Sequence, residues 1–303
     1  MTMEQAAAAG GWRDGYWQSE DGLALHYRDY PGPDGSGAVP VVCIPGLTRN
    51  ARDFHDLAQH LSMRRRVICV ELRGRGDSEY ARDPATYVPL QYVQDLQRLF
   101  AELGIQRAGF VGSSLGGLVT MLFAAFEPQR IAGAVLNDIG PAIEARGLAR
   151  IAEYVGVQRS YPTWMHAARA MEETRGEVYP DWKLSEWIAE AKRAMELGSN
   201  GRITYDYDMR IGDAFDGTAV EVDVDAMWRC FDALAGKPVL VVRGELSDIL
   251  SGRTAREMAD RMPGVELVEV PRVGHLPMLD EAGVLEAIDR LFDERLSVPA
   301  KGD

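Results

Sequence analysis

A chain of 303 residues can bury a full core, and its length admits either one large α/β domain or one domain carrying a sizeable insertion. Its formal charge of −13 argues against nucleic acid and against anionic lipid, both of which need broad positive potential on the protein. Three cysteines, Cys43, Cys69 and Cys230, cannot all pair within one chain, the N-terminus lacks a basic leader with an apolar stretch, and no run of about 18 apolar residues occurs. The expectation is a soluble cytoplasmic protein with reduced thiols and no membrane partner.

Residues 1–12 are Ala/Gly-rich and read as a flexible tail. Tyr16–Gln18 and Leu23–Asp29, joined through Asp21-Gly22, predict a hairpin. Val39–Ile44, Arg66–Glu71, Gly109–Ser113 and Ile131–Asn137 are short apolar runs of the kind buried on both faces of a parallel sheet. Helical patterns over Asn50–Ser62, Leu90–Leu103 and Leu115–Phe126 separate them. The rhythm resumes with Pro238–Val242, a helix near Thr254–Arg261, a strand Val265–Val270 and a closing helix from Glu281 to about Leu296. Alternating strand and helix predicts a doubly wound, mostly parallel sheet. Between about 142 and 235 no buried-strand pattern appears, only helix-like stretches with Trp164, Trp182, Trp187 and Trp228. The predicted organisation is therefore an α/β core over 13–141 and 236–303, with a helical cap inserted at 142–235.

Gly112-Ser113-Ser114-Leu115-Gly116 matches G-x-S-x-G between an apolar strand and a helix. A nucleophile on so tight a strand-to-helix turn needs strained backbone and neighbours without Cβ atoms, and as a bare string the motif says little without that context. Ser114 is the candidate nucleophile; Ser113 lacks glycines at both two-residue offsets. Its hydroxyl requires a base. His26, His55, His60 and His166 lie in the hairpin, the first helix and the insertion, whereas His275 follows the last strand in Val273-Gly-His-Leu-Pro277, over the carboxyl ends of the strands. Asp248, just after the strand Pro238–Val242, is the expected orienting acid, in the order Ser, Asp, His. Glu245 and Asp138 are rivals, although Asp138 before Gly140-Pro141 also reads as a turn or cap carboxylate. The amides of Leu115 and of Leu47, in the loop Pro45-Gly-Leu-Thr48, are the expected oxyanion donors.

Together, Ile44-Pro-Gly-Leu47, Glu71-Leu-Arg-Gly-Arg-Gly-Asp-Ser78, Gly112-Ser-Ser-Leu-Gly-Gly117, Arg243-Gly-Glu-Leu-Ser-Asp248 and Gly274-His275 resemble the α/β-hydrolase superfamily over about 20–140 and 236–296. Pro45-Gly46 stands where many relatives have His-Gly. Dehalogenase and epoxide-hydrolase relatives carry an aspartate at the nucleophile position, which Ser114 argues against. The resemblance implies a cofactor-independent serine hydrolase acting through an acyl-enzyme on an ester, lactone or thioester, without a metal. A carbon–carbon hydrolase of ring-cleavage products is the alternative within this mechanism, but such enzymes usually place Asn before the nucleophile, where this chain has Ser113. A non-catalytic ligand-binding protein is the alternative of another class. The expected partner is a small apolar acyl compound in a bounded, mostly apolar pocket, with the cap aromatics Tyr161, Trp164, Tyr205 and Trp228 either lining it or forming cap core. Arginines such as Arg150 or Arg210 are placed to hold one carboxylate.

Overall fold

The computed structural model describes residues 11–214, 223–281 and 283–296, so nearly all of the expected N-terminal tail falls outside it. In chain order the elements are β1 (Arg13–Gln18), β2 (Ala24–Tyr30), β3 (Val41–Ile44), α1 (His55–Ser62), β4 (Val67–Val70), α2 (Pro89–Glu102), β5 (Ala108–Ser113), α3 (Leu115–Phe126) and β6 (Ile131–Asn137). The inserted stretch contributes α4 (Ala145–Ala152), β7 (Ser160–Tyr161), α5 (Trp164–Arg175), α6 (Leu184–Ala194), β8 (Met195–Leu197), β9 (Ile203–Tyr205), α7 (Ile211–Ala214) and α8 (Val224–Asp232). The chain then returns through β10 (Val239–Gly244), α9 (Gly252–Arg261), β11 (Val265–Val270) and α10 (Val284–Asp289).

Eight strands form one sheet in the order β1-β2-β4-β3-β5-β6-β10-β11. From β4 to β11 all neighbours are parallel, and the β1–β2 hairpin closes one edge antiparallel. Every residue of β3, β4, β5, β6 and β10 is buried, as continuous Val/Ile/Leu/Ala runs require when helices cover both faces. Strand order reverses between β3 and β5. An open α/β sheet presents its binding crevice at such a switch point, outside the carboxyl ends of the strands.

The insertion is not wholly helical: β7, β9 and β8 make a small antiparallel sheet. Strands of two or three residues are too short to show a period in sequence. Nor does the whole insertion form one cap core. Met227, Trp228 and Phe231 on α8 join the main apolar cluster over the sheet, whereas Trp187, Met171, Met195 and Ile203 build a separate small core.

Polar contacts clamp this smaller core onto the sheet. Glu190 of α6 accepts from Arg49 at 2.6 and 3.1 Å, from Arg193 at 3.1 Å and from Arg175 at 3.3 Å. The Arg52 guanidinium reaches Asp206 at 2.5 Å, and Gly274 N–H donates to Val178 O at 2.6 Å. Burial pushes the Glu190 carboxyl up, but Arg49, Arg193 and Arg175 outweigh it and bring the pKa down to about 2. Removing the anion would leave buried cations uncompensated, so Glu190→Gln is expected to destabilise the protein by about 3 kcal/mol in urea titrations at pH 7. Because the folded-state value lies below the ordinary 4.5, this contribution is fully present above that pH and disappears as pH falls toward 2. The difference between parent and variant should shrink across that window.

Candidate active site

The turn after β5 has the form its glycines dictate. Ser114 adopts φ 51° and ψ −115°, a strained conformation for a residue with a side chain. A Cβ at Gly116 would collide with Ile44 O, and one at Gly112 with Gly116 O, so the helix can start against β3 only if both positions lack side chains. Ser114 N–H donates to Asn137 O at 2.9 Å, which ties the turn to the end of β6. Leu115 opens α3, so its amide has no intrahelical acceptor. Leu47 lies in the loop after β3, and among the described residues its amide has no acceptor. Gly46 beside it brings that loop against Ser114, since a Cβ there would stand 3.6 Å from Ser114 Cβ.

His275 Nε2 lies 2.9 Å from Ser114 Oγ, and its Nδ1 lies 2.7 Å from Asp138 Oδ2. With Nδ1–H donating to the carboxylate, Nε2 is left to accept from the serine hydroxyl. Asp138, fully buried just past β6 with φ 54°, also accepts from Gly244 N–H at 2.9 Å and Ser247 O–H at 2.6 Å. Its carboxylate is therefore fixed from three sides at the carboxyl end of the strand next to β5.

The expected acid, Asp248, does not contact His275. Arg150 of α4 holds it with two charge-assisted bonds of 2.5 and 2.8 Å. Burial pushes the Asp248 carboxyl up, but the hydrogen bonds and charge of Arg150, with His275 nearby, outweigh this and keep it below its ordinary value. Asp138 takes the position at the imidazole because its strand β6 adjoins β5, which leads to Ser114, whereas Asp248 follows β10, one strand further out, and meets the insertion instead. Glu245 accepts from Arg272 N–H at 2.7 Å, away from the imidazole.

The remaining candidates separate cleanly. Ser113 Oγ accepts from Asn137 Nδ2 at 3.1 Å and has no base. His26 pairs with Glu71, His55 with Tyr30, His60 with Asp289 and His166 with Thr163. His26, Glu71 and Asp77 place ligand atoms within 4.8 Å of one another, but Glu71 already accepts from Asp77 N–H at 2.6 Å and Ala51 N–H at 3.1 Å. Asn137 was not singled out from the sequence. Its Nδ2 also donates to Pro277 O at 2.9 Å and so holds the loop that carries His275.

A cavity of about 60 Å³ opens onto Ser114 and His275. That is small beside the roughly 300 Å³ or more of pockets for drug-sized ligands. Apolar groups such as Leu47, Ile151 and Leu276 make up the larger part of its wall, but the charged Arg49, Arg150, Arg175 and Glu190 interrupt them. None of Tyr161, Trp164, Tyr205 and Trp228 lines it; Phe54, Tyr154 and Tyr179 do. Arg150 does line it, while Arg210 binds Asp208 at 2.7 Å elsewhere.

A model of the alpha/beta hydrolase family matches residues 41–287, most of the chain. The chain belongs to the alpha/beta hydrolase family. Among solved structures, an alpha/beta hydrolase from Novosphingobium aromaticivorans is 56% identical, with a TM-score of 0.89, covering 95% of this chain and all of that one. Among characterised relatives, a 3-hydroxybutyrate-oligomer hydrolase of Cupriavidus necator is 34% identical over 92% of this chain and 97% of its own length. An esterase of Mycobacterium tuberculosis is 26% identical over 86% of this chain and 85% of its own. In this alpha/beta hydrolase, no helix among the described residues is long and apolar enough to cross a membrane.

Proposed function

We propose that the protein is a serine hydrolase of small carboxylic esters, with Ser114 as nucleophile, His275 as base and Asp138 as orienting acid. The observation that carries this reading is the hydrogen-bonded chain from Asp138 through His275 to Ser114. As Ser114 Oγ attacks the ester carbonyl, its proton passes to His275 Nε2, and Asp138 stabilises the imidazolium. The Leu47 and Leu115 amides bind the oxyanion of the tetrahedral intermediate. Collapse breaks the C–O bond, His275 returns the proton to the departing alkoxide, and the acyl group remains on Ser114. A water molecule, deprotonated by His275, then attacks the acyl-serine; the acid leaves and the hydroxyl is restored. Relatives that are an oligoester hydrolase and an esterase support ester as the bond class.

The cavity size favours short acyl groups. On a panel of 4-nitrophenyl esters from acetyl to decanoyl, several lactones and a dienoate ring-cleavage product, kcat/KM should peak at acetyl to butanoyl esters and fall at least about tenfold by decanoyl. Efficient cleavage of the dienoate with poor turnover of every ester would replace this reading by carbon–carbon hydrolysis with the same three residues.

A further inference from the structure

Four arginines and four carboxylates gather around the serine cavity, and they are unevenly paired. Arg49, Arg175 and Arg193 surround Glu190, and Asp53 is the second anion, held by Arg49 at 2.5 and 2.7 Å. Within this cluster three arginines share two carboxylates, and Asp138 beside His275 is a further anion of the site. Arg150 and Asp248 neutralise each other.

The least engaged of these cations is Arg175. Both other arginines lining the cavity are occupied, Arg49 by forks to two carboxylates and Arg150 by a fork to one. Among the described residues Arg175 has one hydrogen bond, the long 3.3 Å contact to Glu190 Oε1, and its guanidinium lies over the Tyr154 ring at 5.4 Å. Its side chain is only 15% exposed, and it lines the serine cavity. A guanidinium carries five N–H donors, and those of Arg175 that Glu190 does not accept are open to the cavity, where the oxygens of a ligand can take them. Arg150 and Arg175 also line an adjoining groove of about 330 Å³, so the two arginines stand where the serine cavity meets that groove.

We propose that Arg175 is a carboxylate-binding residue of the serine cavity, and that the preferred substrates are small esters carrying a free carboxylate on one side of the scissile bond. This rests on the ester-hydrolase reading above and extends it to a substrate class. The carboxylate belongs either to the acyl part, as in a monoester of a dicarboxylic acid, or to the alcohol part, as in an ester of a hydroxy acid. A planar carboxylate can accept two parallel N–H bonds from the guanidinium and so fix the ester carbonyl relative to Ser114.

The test compares two matched pairs by pH-stat: monoethyl succinate with ethyl pentanoate, and 3-(butanoyloxy)propanoate with butyl butanoate. In the parent, kcat/KM for the anion should exceed that of its neutral partner by at least about tenfold in one pair, and that pair identifies the side that bears the carboxylate. Arg175→Gln should reduce this ratio by about 10- to 100-fold, and Arg175→Lys should restore part of it. Glu190 keeps Arg49 and Arg193 in either variant, so both should fold, which thermal melts check. Equal rates on anion and neutral ester, or a ratio untouched by Arg175→Gln, would overturn the proposal while leaving ester hydrolysis standing. Calorimetry with succinate supplies a readout independent of turnover. Weakening of succinate binding by tenfold or more in Arg175→Gln supports the subsite even if no ester is cleaved, a result that would instead remove the ester-hydrolase reading.

Discussion

Ser114→Ala is expected to lower kcat on the best 4-nitrophenyl ester by about 10⁶-fold, with the fold retained. The change removes one oxygen at the turn. The backbone geometry that positions α3 depends instead on Gly112 and Gly116, which the variant keeps. Without Oγ the covalent route is closed, and His275, which then has no hydroxyl at 2.9 Å to deprotonate, can act only on water. Residual catalysis should come from substrate binding and the two oxyanion amides alone. A variant retaining more than about a hundredth of parent activity would put the nucleophile elsewhere, with Ser113 the first residue to examine.

Asp138→Asn is expected to lower kcat by about 10⁴-fold, because an amide can donate to the imidazole and select the tautomer whose Nε2 carries the proton. The serine hydroxyl would then face a donor rather than an acceptor. Asp248→Asn should cost far less, under about tenfold, since Asp248 meets Arg150 and reaches His275 only through its charge. Measuring kcat for both variants decides between the two carboxylates: a larger loss in Asp248→Asn would reverse the assignment. Both should release less alcohol per second at pH 7 without a change in melting temperature large enough to explain the loss.

Much of the fold was legible because the sheet is buried on both faces. Runs such as Val41–Ile44 and Ile131–Asn137 admit few readings, and the strand–Gly-x-Ser-x-Gly–helix order locates the nucleophile turn without any knowledge of tertiary contacts. His275 was legible for the same reason, as the one histidine after the last strand. The acid was not. Asp138 and Asp248 both follow strands, both lie between Ser114 and His275 in the chain, and both satisfy the same order of residues. What separates them is Arg150, which claims Asp248 from 98 positions away, together with the sheet order that sets β6 beside β5. Neither is local information. The charged cavity wall was hidden similarly: Arg175 and Glu190 sit on amphipathic helices, where charges ordinarily mark the solvated face. Here Trp164, Trp182 and Trp187 pack in the small core of the insertion, and those charged residues line the serine cavity.

The Ser114 hydroxyl should be the most reactive nucleophile of the protein. Incubating the protein with a small alkyl fluorophosphonate and reading intact mass, followed by peptide mapping, should show one adduct per chain at Ser114. Ser114→Ala should show none, and Asp138→Asn should label far more slowly than the parent. An adduct at another residue, an unlabelled parent, or equal labelling of parent and Ser114→Ala would contradict the assignment of Ser114 as a nucleophile activated by His275 and Asp138.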